Sequence, residues 1–316
     1  MSIPAPTLER LAARARLLAR LRDFFAVRGF WEVETPLVAA EVIPELHIEP
    51  RQVRPESADE PPQWLQASPE LHMKRLMTLG CDAVYQVTRS FRGREFGELH
   101  RPEFTLVEWY RRGDGMQAGM DLLADLAAEL LDADAVDRTT YADAFRAHAG
   151  VDPLTASIAE LRDAARRLEA PLPDALPPDD RDEWLNLLLA LRVEPRLGQR
   201  RPEILYHYPD TQAALARIVA GGEGQPVAAR FELYFRGVEL ANGYDELTDP
   251  DALEKRLTEA NRRRQAAGRA ALPMPESLLA AMRDPGLPAC SGCALGFDRL
   301  AMAATGAASL AEVRFE

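Results

Sequence analysis

Cysteine is scarce in this sequence, and its scarcity excludes a small fold stapled by disulfides. The 316 residues include three cysteines, Cys81, Cys290 and Cys293, which are too few and too unevenly placed for a disulfide framework. The last two have the CxxC spacing of half a zinc site, but the sequence holds no second CxxC or HxxxH pair to complete four ligands. We therefore interpret this spacing as a coincidence.

Long apolar runs and a surplus of basic residues are also missing. No stretch approaches the roughly 20 apolar residues of a transmembrane helix, and arginines interrupt the apolar N-terminal positions, which excludes a signal peptide. We therefore expect a cytoplasmic protein without a membrane partner. The 50 aspartates and glutamates outnumber the 38 lysines and arginines, and the net charge of −12 argues against routine binding to nucleic acid.

The clearest structural element in the sequence is a hairpin. Apolar residues make up 47% of the chain, which is enough for a sizeable core. Residues 84–88 and 104–110 are extended runs around a polar loop with two glycines, which predicts two antiparallel strands. Alternate side chains share a face, so Glu108 and Tyr110 point the same way. Arg92, where the first strand enters the loop, has the planar fork that suits phosphate. The hairpin can hold phosphate and ammonium in one cleft.

Two helices are predicted before this hairpin. Apolar residues at steps of three or four predict a helix over residues 7–25, followed by a short strand within residues 30–36. Ser68 is a natural N-cap for a second helix over residues 69–78. Glu70 then lies in its first turn, where a carboxylate complements the helix dipole, so a purely structural role would also account for this residue.

Helical and connecting patterns dominate the middle of the chain, from about residue 115 to residue 229. Apolar periodicity predicts helices there over residues 116–131, 139–148, 157–168 and 179–191. We find no internal repeat in the sequence and no residue pattern in this block that points to chemistry.

Carboxylates are concentrated in the next segment. Residues 231–235 and 238–244 predict a second hairpin, which carries Glu232 and Glu239 and precedes Glu246. On a surface hairpin these carboxylates would simply be solvated. The strands are otherwise apolar, however, and buried carboxylates need cations or hydrogen-bond donors. Magnesium that bridges nucleotide phosphates is one such cation.

Three segments resemble, in the same order, the signature motifs of class II aminoacyl-tRNA synthetases of the lysyl type. The first helix followed by GFWEVETP resembles motif 1, the hairpin with FR, HRPEF and EWY resembles motif 2, and SGCALGFDRL resembles motif 3. The resemblance covers about residues 7–306. It implies an α+β fold, the class II catalytic core, in which a mixed, mainly antiparallel sheet is flanked by helices.

The resemblance also implies an organisation. We expect a single catalytic domain over residues 1–316, with a mainly helical insertion at about 115–229. Lysyl-tRNA synthetases carry an N-terminal domain that reads the anticodon, whereas this sequence begins at the catalytic core, so no anticodon-binding domain is expected. The proline of motif 1 lies at a homodimer interface in the family, which implies a homodimer.

The chemistry that the resemblance implies uses ATP as co-substrate and Mg²⁺. A substrate carboxylate attacks the α-phosphate of ATP, which gives an adenylate and pyrophosphate. Arg92 and Arg299 are the implied catalytic residues, at the α- and γ-phosphates, while Glu232 and Glu239 hold magnesium. Such fixed donors are typically worth about 3–4 kcal/mol each in the transition state.

The resemblance implies a larger set of ATP contacts: Arg92, Arg94, Glu95, His100, Arg101, Phe104, Glu239, Leu240, Gly296 and Arg299. This sequence departs from the family in the motif 2 loop, where Gly93, Arg94 and Glu95 follow Arg92 and the family often has Asn-Glu. Either Glu95 or backbone groups then contact the adenine. Arg101 likewise replaces the usual asparagine.

The implied substrate residues are Ser68, Glu70, Glu108, Tyr110, Asn242, Glu246 and Ala294. Glu108 and Tyr110 match the pair that receives the terminal ammonium of lysine, and Glu70, Asn242 and Glu246 match groups around the other amino group. Several carboxylates favour a substrate with two ammonium groups, because a neutral side chain would leave a carboxylate buried and unpaired, at a cost of about 1–3 kcal/mol.

Two features match the lysyl-tRNA synthetase paralogues that attach (R)-β-lysine to a lysine ε-amino group of elongation factor P. These are the start of the sequence at the catalytic core and Ala294 in place of the usual glycine, where one methyl group shifts preference by roughly 1–3 kcal/mol. The implied partners are elongation factor P, (R)-β-lysine and a second copy of the chain, with no tRNA.

Two alternatives stay open. One is a truncated lysyl-tRNA synthetase that activates L-lysine for tRNA, and the other is a non-catalytic paralogue that binds an amino acid or a partner as a regulator. The presence of Arg92, Arg299, Glu232 and Glu239 argues against the regulator.

Overall fold

The computed structural model describes residues 6–54, 57, 59, 61–93, 96–171, 173, 176–222 and 224–315. The chain divides into two compact units. The first unit comprises the described parts of Met1–Gly115 and Glu246–Glu316, and the second comprises those of Met116–Asp245. The insertion predicted at about 115–229 falls within the second unit, whose helices are accompanied by strands.

The α-helices of the described residues are α1 (Leu8–Ala26), α2 (Glu70–Thr78), α3 (Met116–Leu130), α4 (Tyr141–His148), α5 (Ile158–Arg167), α6 (Arg181–Leu188), α7 (Pro250–Ala266), α8 (Glu276–Ala281) and α9 (Phe297–Thr305). The strands are β1 (Trp31–Glu32), β2 (Val38–Ala39), β3 (Glu49–Val53), β4 (Gln63–Leu65), β5 (Ala83–Gly93), β6 (Glu103–Arg112), β7 (Asp137–Thr140), β8 (Glu203–Pro209), β9 (Ile218–Ala220), β10 (Pro226–Phe235), β11 (Val238–Asp245) and β12 (Cys290–Gly296). Among these residues, no helix combines the length and apolar character that a membrane span requires.

The first unit is built on an antiparallel sheet with the strand order β2, β4, β3, β5, β6, β12. The short strand β1 pairs in parallel with β5. Strands β5 and β6 form the predicted antiparallel hairpin, in which Gln86 lies opposite Glu108 and Ser90 lies opposite Phe104. Strand β12 lies on the other side of β6 and sets Ala294 directly opposite Glu108. The hairpin and the α+β class are confirmed.

Helix α1 confirms the first helix predicted from apolar periodicity. The Thr7 side chain accepts a hydrogen bond from the backbone N–H of Arg10 at 3.2 Å, which caps the helix. Its buried face includes Phe25, whose ring stacks on that of Tyr85 in β5 with centroids 4.5 Å apart. The chain turns away at Gly29, whose φ of +76° is one that residues with a Cβ rarely adopt.

Helix α2 begins one residue later than the sequence predicted. The prediction placed Pro69 in the helix, but the helix starts at Glu70. The Ser68 hydroxyl still accepts a hydrogen bond from the Glu70 backbone N–H, at 3.1 Å, as a capping residue would. Glu70 therefore lies at the very start of the helix, as expected.

The strands of the second unit follow the order β11, β10, β8, β7 and pair mainly antiparallel. The β11–β10 and β10–β8 pairs are antiparallel, β7 runs parallel to β8, and β9 adds to β10. The α-helices α4, α5 and α6 pack their apolar faces around buried Tyr141, Phe145 and Trp184. The second predicted hairpin, around Glu232 and Glu239, is confirmed as β10 and β11.

Two helices of this unit differ from their predicted bounds. The segment predicted to be helical from residue 139 is extended through Thr140, because its threonines pair with β8. The Thr140 hydroxyl then accepts from the Asp143 backbone N–H and caps α4. Helix α6 begins at Arg181 after the Asp180 cap and ends in a π-helical turn, Leu189–Val193, instead of continuing as an α-helix.

Arg264 is the last of three consecutive arginines near the end of α7, a place where basic residues complement the helix dipole. The structure buries it completely, at 0% exposure. Its guanidinium donates to the Glu49 carboxylate at 3.0 Å and to the backbone carbonyls of Glu45 and Ile48 at 2.9 and 3.1 Å. It ties α7 to the start of β3.

We predict that Arg264→Met lowers the free energy of unfolding by about 3–5 kcal/mol, because it leaves Glu49 without its cation and several carbonyls without donors. Chemical denaturation followed by circular dichroism measures the change. Arg262→Met is the matched control on the same helix, since Arg262 is exposed and pairs with Glu259 one turn away. Equal effects of the two substitutions would contradict the buried anchor.

Candidate active site

Three carboxylates of the first unit converge in one pocket. Glu70 lies at the start of α2, Glu108 lies in β6, and Glu246 begins the segment that leads into α7. Glu108 and Glu246 are almost fully buried, at 2% and 1% exposure. The backbone N–H of Glu246 donates to the Cys290 carbonyl at 3.0 Å, which fixes this residue beside β12. Buried like charges repel, so the pocket requires cations.

A buried lysine supplies one cation. The Lys74 ammonium lies 2.6 Å from Glu70 Oε1 and 2.7 Å from Glu246 Oε2. Its side chain is on the buried face of α2, one turn after Glu70, among Leu71 and Met77. Lys74 is not among the site residues predicted from the sequence. A lysine on the apolar face of a predicted helix, four residues after a glutamate, was the signal that could have identified it.

Hydrogen bonds hold Glu108 in place. The Ser68 hydroxyl donates to Glu108 Oε2 at 2.6 Å, and the Tyr110 hydroxyl donates to Oε1 at 2.7 Å. Burial, reinforced by the negative charge of Glu70, raises the pKa of Glu108 to about 7, although these hydrogen bonds and the nearby Lys74 oppose the rise. Glu108 is therefore held in a fixed orientation while it lacks a full counter-charge.

Glu246 has an oxygen without a donor. Burial raises the pKa of Glu246 to about 8, with Lys74 opposing the rise and Glu70 and Glu108 adding to it. Within the described residues, its Oε1 atom is buried and accepts no hydrogen bond. A Cβ atom on Gly292 would lie 2.3 Å from that oxygen and 2.3 Å from the Tyr110 ring, so only glycine fits there. The pocket can accept a further donor at Glu246.

Ala294 completes this pocket from β12. It lies directly opposite Glu108 in the β6–β12 register and is partly buried. In an antiparallel pair, residues directly opposite each other point to the same face, so the Ala294 methyl group lies beside the Glu108 side chain. A change of size at this position acts on the space next to the carboxylate.

A second set of predicted residues gathers around the motif 2 loop. The Arg92 guanidinium lies at the end of β5, 5.0 Å from the centroid of the Phe104 ring. Arg299 of α9 donates to the Leu99 carbonyl at 3.2 Å, and its Nη2 atom lies 2.7 Å from His100 Nε2. Two guanidinium groups and an imidazole thus lie along one hairpin and the start of α9, a donor set that suits an anion.

The remaining predicted contacts of this unit are more peripheral. Gly296 is the N-cap residue of α9, where β12 ends. Arg101 donates to the Gly97 carbonyl within its own loop at 2.5 Å. Arg94 and Glu95 lie outside the described residues, so the structure leaves their predicted roles untested.

Asp298, which the sequence analysis did not single out, anchors the start of α9. Its carboxylate lies 2.6 Å from the Arg14 guanidinium and 2.7 Å from that of Arg314, and it accepts from the Thr105 backbone N–H at 2.9 Å. These contacts join α1, the C-terminal segment and β6 to the residue before Arg299. Three donors on a buried carboxylate fix its position, and with it the start of the helix that carries Arg299.

The predicted metal ligands lie on one face of the β10–β11 hairpin in the second unit. Glu232 lies opposite Asn242, and Glu239 lies opposite Tyr234, with Leu240 buried at the irregularity between the two pairs. Residues directly opposite each other point to the same side. Glu232, Glu239 and Asn242 are therefore brought to one side of this hairpin.

Glu232 is already surrounded by donors. The Tyr208 hydroxyl donates to its Oε2 atom, the Tyr234 hydroxyl donates to the same atom at 2.6 Å, and Arg230 donates to Oε1 at 2.5 Å. Burial raises the pKa of both tyrosines well above the ordinary value, with the charge of Glu232 adding to the rise, so both hydroxyls stay protonated. The two tyrosines and the arginine hold this carboxylate in a fixed orientation.

These residues fit a magnesium ion that is shared with phosphate. A carboxylate has about four lone-pair sites, and the three donors leave Glu232 one of them. The Asn242 side-chain oxygen is buried and has no partner among the described residues. Over the same residues, no cluster of three or more His, Cys, Asp or Glu could hold a metal by itself. The set suits an ion with one or two protein carboxylates and substrate oxygens.

The three motifs, carried by α1 with β1, by the β5–β6 hairpin and by β12 with α9, define a class II synthetase. The sequence matches the family of tRNA synthetases class II (D, K and N) over residues 5–315. An elongation factor P–(R)-β-lysine ligase of Yersinia enterocolitica (serotype O:8, biotype 1B) is 44% identical over 314 residues, which cover 98% of this chain and 95% of that relative. Proteins of the same name from Salmonella paratyphi B and Salmonella schwarzengrund are 43% identical with the same coverage. The chain belongs to the class II tRNA synthetase family and, within it, to the elongation factor P–(R)-β-lysine ligases.

The raised pKa values of Glu108 and Glu246 predict a stability that falls as pH rises. A carboxyl group whose pKa is higher in the folded protein stabilises the fold below its ordinary pKa, and this contribution is lost as pH rises through the folded value. The free energy of unfolding should therefore fall between about pH 4.5, the ordinary pKa, and about pH 8, the higher of the two folded values. Glu108→Gln should reduce that fall by about 3 kcal/mol, since one pKa unit corresponds to about 1.4 kcal/mol.

Denaturant titrations at several pH values measure this dependence. Glu103→Gln is the matched control, because Glu103 begins the same strand but is exposed and pairs with the exposed Arg89. Parallel pH curves for the wild type and Glu108→Gln would contradict a shifted pKa at Glu108.

Proposed function

We propose that the chain is an ATP-dependent, AMP-forming ligase that activates (R)-β-lysine and transfers it to the ε-amino group of a lysine on elongation factor P. The observation that carries the proposal is the buried pocket of Glu70, Glu108 and Glu246 with one internal ammonium. The printed names of the relatives supply the acceptor and the identity of the diamino acid.

The charges of the pocket support a substrate with two ammonium groups. Three carboxylates face one lysine, so two negative charges lack a counter-ion when all three are ionised. Burial and hydrogen bonding make such charges costly, and two ammonium groups balance them. A neutral side chain would leave a carboxylate unpaired, at a cost of about 1–3 kcal/mol. The free oxygen of Glu246 and the fixed oxygens of Glu108 are the proposed acceptors, with Ser68 and Tyr110 in support.

The first chemical step joins the substrate carboxylate to ATP. A carboxylate oxygen attacks the α-phosphorus, the bond from that phosphorus to the bridging oxygen of the β-phosphate breaks, and pyrophosphate leaves. Arg92 is proposed to bind the α-phosphate and Arg299 the γ-phosphate, since each presents a guanidinium along the motif 2 hairpin. Such preorganised donors are typically worth about 3–4 kcal/mol each.

In the second step the acceptor lysine, after loss of a proton, attacks the carbonyl carbon of the adenylate. An amide bond forms, the bond to the phosphate oxygen breaks, and AMP leaves. No covalent bond to the enzyme is required. The protein contributes mainly by positioning the two reactants and by neutralising the phosphates.

We propose Glu232 and Glu239 as ligands of the metal ion, because Glu232 has one lone pair without a donor and both side chains lie on the same side of the β10–β11 hairpin. When bound, magnesium would supply positive charge to the nucleotide phosphates. Arg230, Tyr208 and Tyr234 would keep the Glu232 carboxylate oriented, as hydrogen-bond donors to metal-binding carboxylates do. Asn242 remains a proposed substrate contact.

The nucleotide contacts extend this proposal. His100, Arg101, Phe104, Leu240 and Gly296 are proposed to surround ATP, in addition to the residues at the phosphates. His100 holds Arg299, so binding of the γ-phosphate and the position of the motif 2 loop are coupled. Arg94 and Glu95 are proposed contacts that the described residues do not include.

Further partners follow from the same proposal. We propose a homodimer, because Trp31 of motif 1 is 67% exposed on a short strand at the side of the sheet. A large exposed aromatic side chain is typical of an interface. We propose a cytoplasmic location, where ATP and elongation factor P are present, no tRNA partner, and one catalytic domain with an insertion at about 115–229.

ATP–pyrophosphate exchange tests the function. We expect faster exchange with (R)-β-lysine than with L-lysine, followed by transfer to elongation factor P and not to tRNA. Faster exchange with L-lysine and charging of tRNA would establish the truncated synthetase, and exchange with neither amino acid would establish the regulator. Arg92→Ala should slow exchange by about 10²–10³-fold, whereas Arg89→Ala, on the same strand and exposed, should change it little.

Ala294 is proposed to set the choice between the two lysines. Ala294→Gly should raise the use of L-lysine relative to (R)-β-lysine by about 10–200-fold, because one methyl group beside Glu108 is worth about 1–3 kcal/mol. The ratio of kcat/KM values in the exchange assay measures the change. Ala304→Gly, at an exposed position of α9, is the control. An unchanged ratio would remove Ala294 from the choice of substrate.

A further inference from the structure

Lysine is nearly absent from this chain. The sequence contains two lysines, Lys74 and Lys255, against 36 arginines. Lys255 is exposed on α7, where any cation would serve. Elsewhere in the described residues, buried or mostly buried cations that pair with carboxylates are arginines, as at Arg14, Arg230 and Arg264. The position between Glu70 and Glu246 is thus an exception in a chain that otherwise uses arginine.

The geometry explains why an ammonium is needed there. An ammonium is a compact point charge with three donors, whereas a guanidinium is a wide planar fork. The Lys74 ammonium contacts carboxylates from two different elements, at 2.6 and 2.7 Å, and is 2% exposed. Burial by itself would lower the pKa of Lys74, but Glu246 and Glu70 raise it well above the ordinary value. The group therefore stays charged at every working pH.

Three ionised carboxylates require three positive charges, and Lys74, which contacts Glu70 and Glu246, supplies one of them from within. Glu108 lies 2.6 and 2.7 Å from the hydroxyl oxygens of Ser68 and Tyr110, and neither of those groups is a cation. The buried Oε1 of Glu246 has no donor among the described residues. Lys74 therefore resembles the ammonium groups that the proposed substrate would bring to the pocket.

We propose that Lys74 is a specificity-determining residue that permanently supplies one of the three positive charges and so sets the number of substrate ammonium groups at two. This inference rests on the proposed function, in that the pocket is taken to bind the substrate. In this proposal the charge of Lys74 determines how many ammonium groups the substrate must carry. A residue needed only for folding would not have this effect.

The test separates charge from volume. Lys74→Ala removes the ammonium and opens a cavity, and we expect the KM for (R)-β-lysine in the exchange assay to rise about 100-fold or more, as when one partner of a buried ion pair is removed. Added propylammonium should lower that KM by at least about tenfold, or about 1.4 kcal/mol. The neutral isostere 1-propanol should not lower it. Lys255→Ala is the control and should behave as the wild type.

A second variant serves if the alanine protein does not fold. Lys74→Met keeps the volume, and titration calorimetry in two buffers of different ionisation enthalpy counts the protons released when (R)-β-lysine binds. Loss of a permanent cation leaves more protons on the free carboxyls, so Lys74→Met should release more protons per substrate than the wild type does. An unchanged proton count would overturn the proposal, as would equal recovery of Lys74→Ala by propanol and propylammonium.

Different results would contradict the proposed function and the proposed role of Lys74. If the wild-type protein neither exchanges nor binds (R)-β-lysine, the proposed function fails. If the wild type is active and only the charge-dependent recovery and the change in proton count are missing, the function stands and Lys74 is a structural residue.

Discussion

Mutual repulsion of three carboxylates in one buried pocket is the constraint on which the rest of this structure depends. Glu70, Glu108 and Glu246 come from three separate segments, and the structure brings them together although each raises the electrostatic cost of the others. One internal ammonium offsets part of this cost. The remaining negative charge requires further cations, and this requirement is the basis of the substrate recognition that we propose.

The fold serves this pocket by fixing its walls with strand register. β6 lies between β5 and β12, so Glu108 and Tyr110 project from a strand that is paired on both sides. A Cβ atom on Gly292 would overlap Glu246 and Tyr110. Strand β12 therefore lies very close to the side chains of both residues. A site built on paired strands holds its geometry better than one built on loops. Arg92 and Arg299, the proposed phosphate contacts, lie instead near the end of β5 and in the first turn of α9.

Sequence patterns predicted the parts of this site that depend on local structure. Alternation in the hairpin placed Glu108 and Tyr110 on one face, and capping residues gave the position of Glu70 to within a residue. Long-range pairing was beyond such reasoning. The role of Lys74 depends on its ion pair with Glu246, and the role of Arg264 depends on its ion pair with Glu49. Both partners are distant in the sequence. The surroundings of Glu232, held by Tyr208 and Arg230, likewise depend on strand pairing.

In such a pocket, the carboxylates that are proposed to bind the substrate lower the stability of the empty protein. While no substrate is bound, burial holds the pKa of Glu108 at about 7 and that of Glu246 at about 8, so both carboxyls are partly protonated near neutral pH. A ligand with two ammonium groups favours the ionised forms, so its binding must expel protons and strengthen as pH rises until the ligand itself loses charge. In the proposed function, the residues that weaken the empty protein thus provide the binding energy for the substrate. Their replacement by apolar residues would then stabilise the fold and remove the proposed recognition, which is the expected trade-off between stability and activity at a functional site.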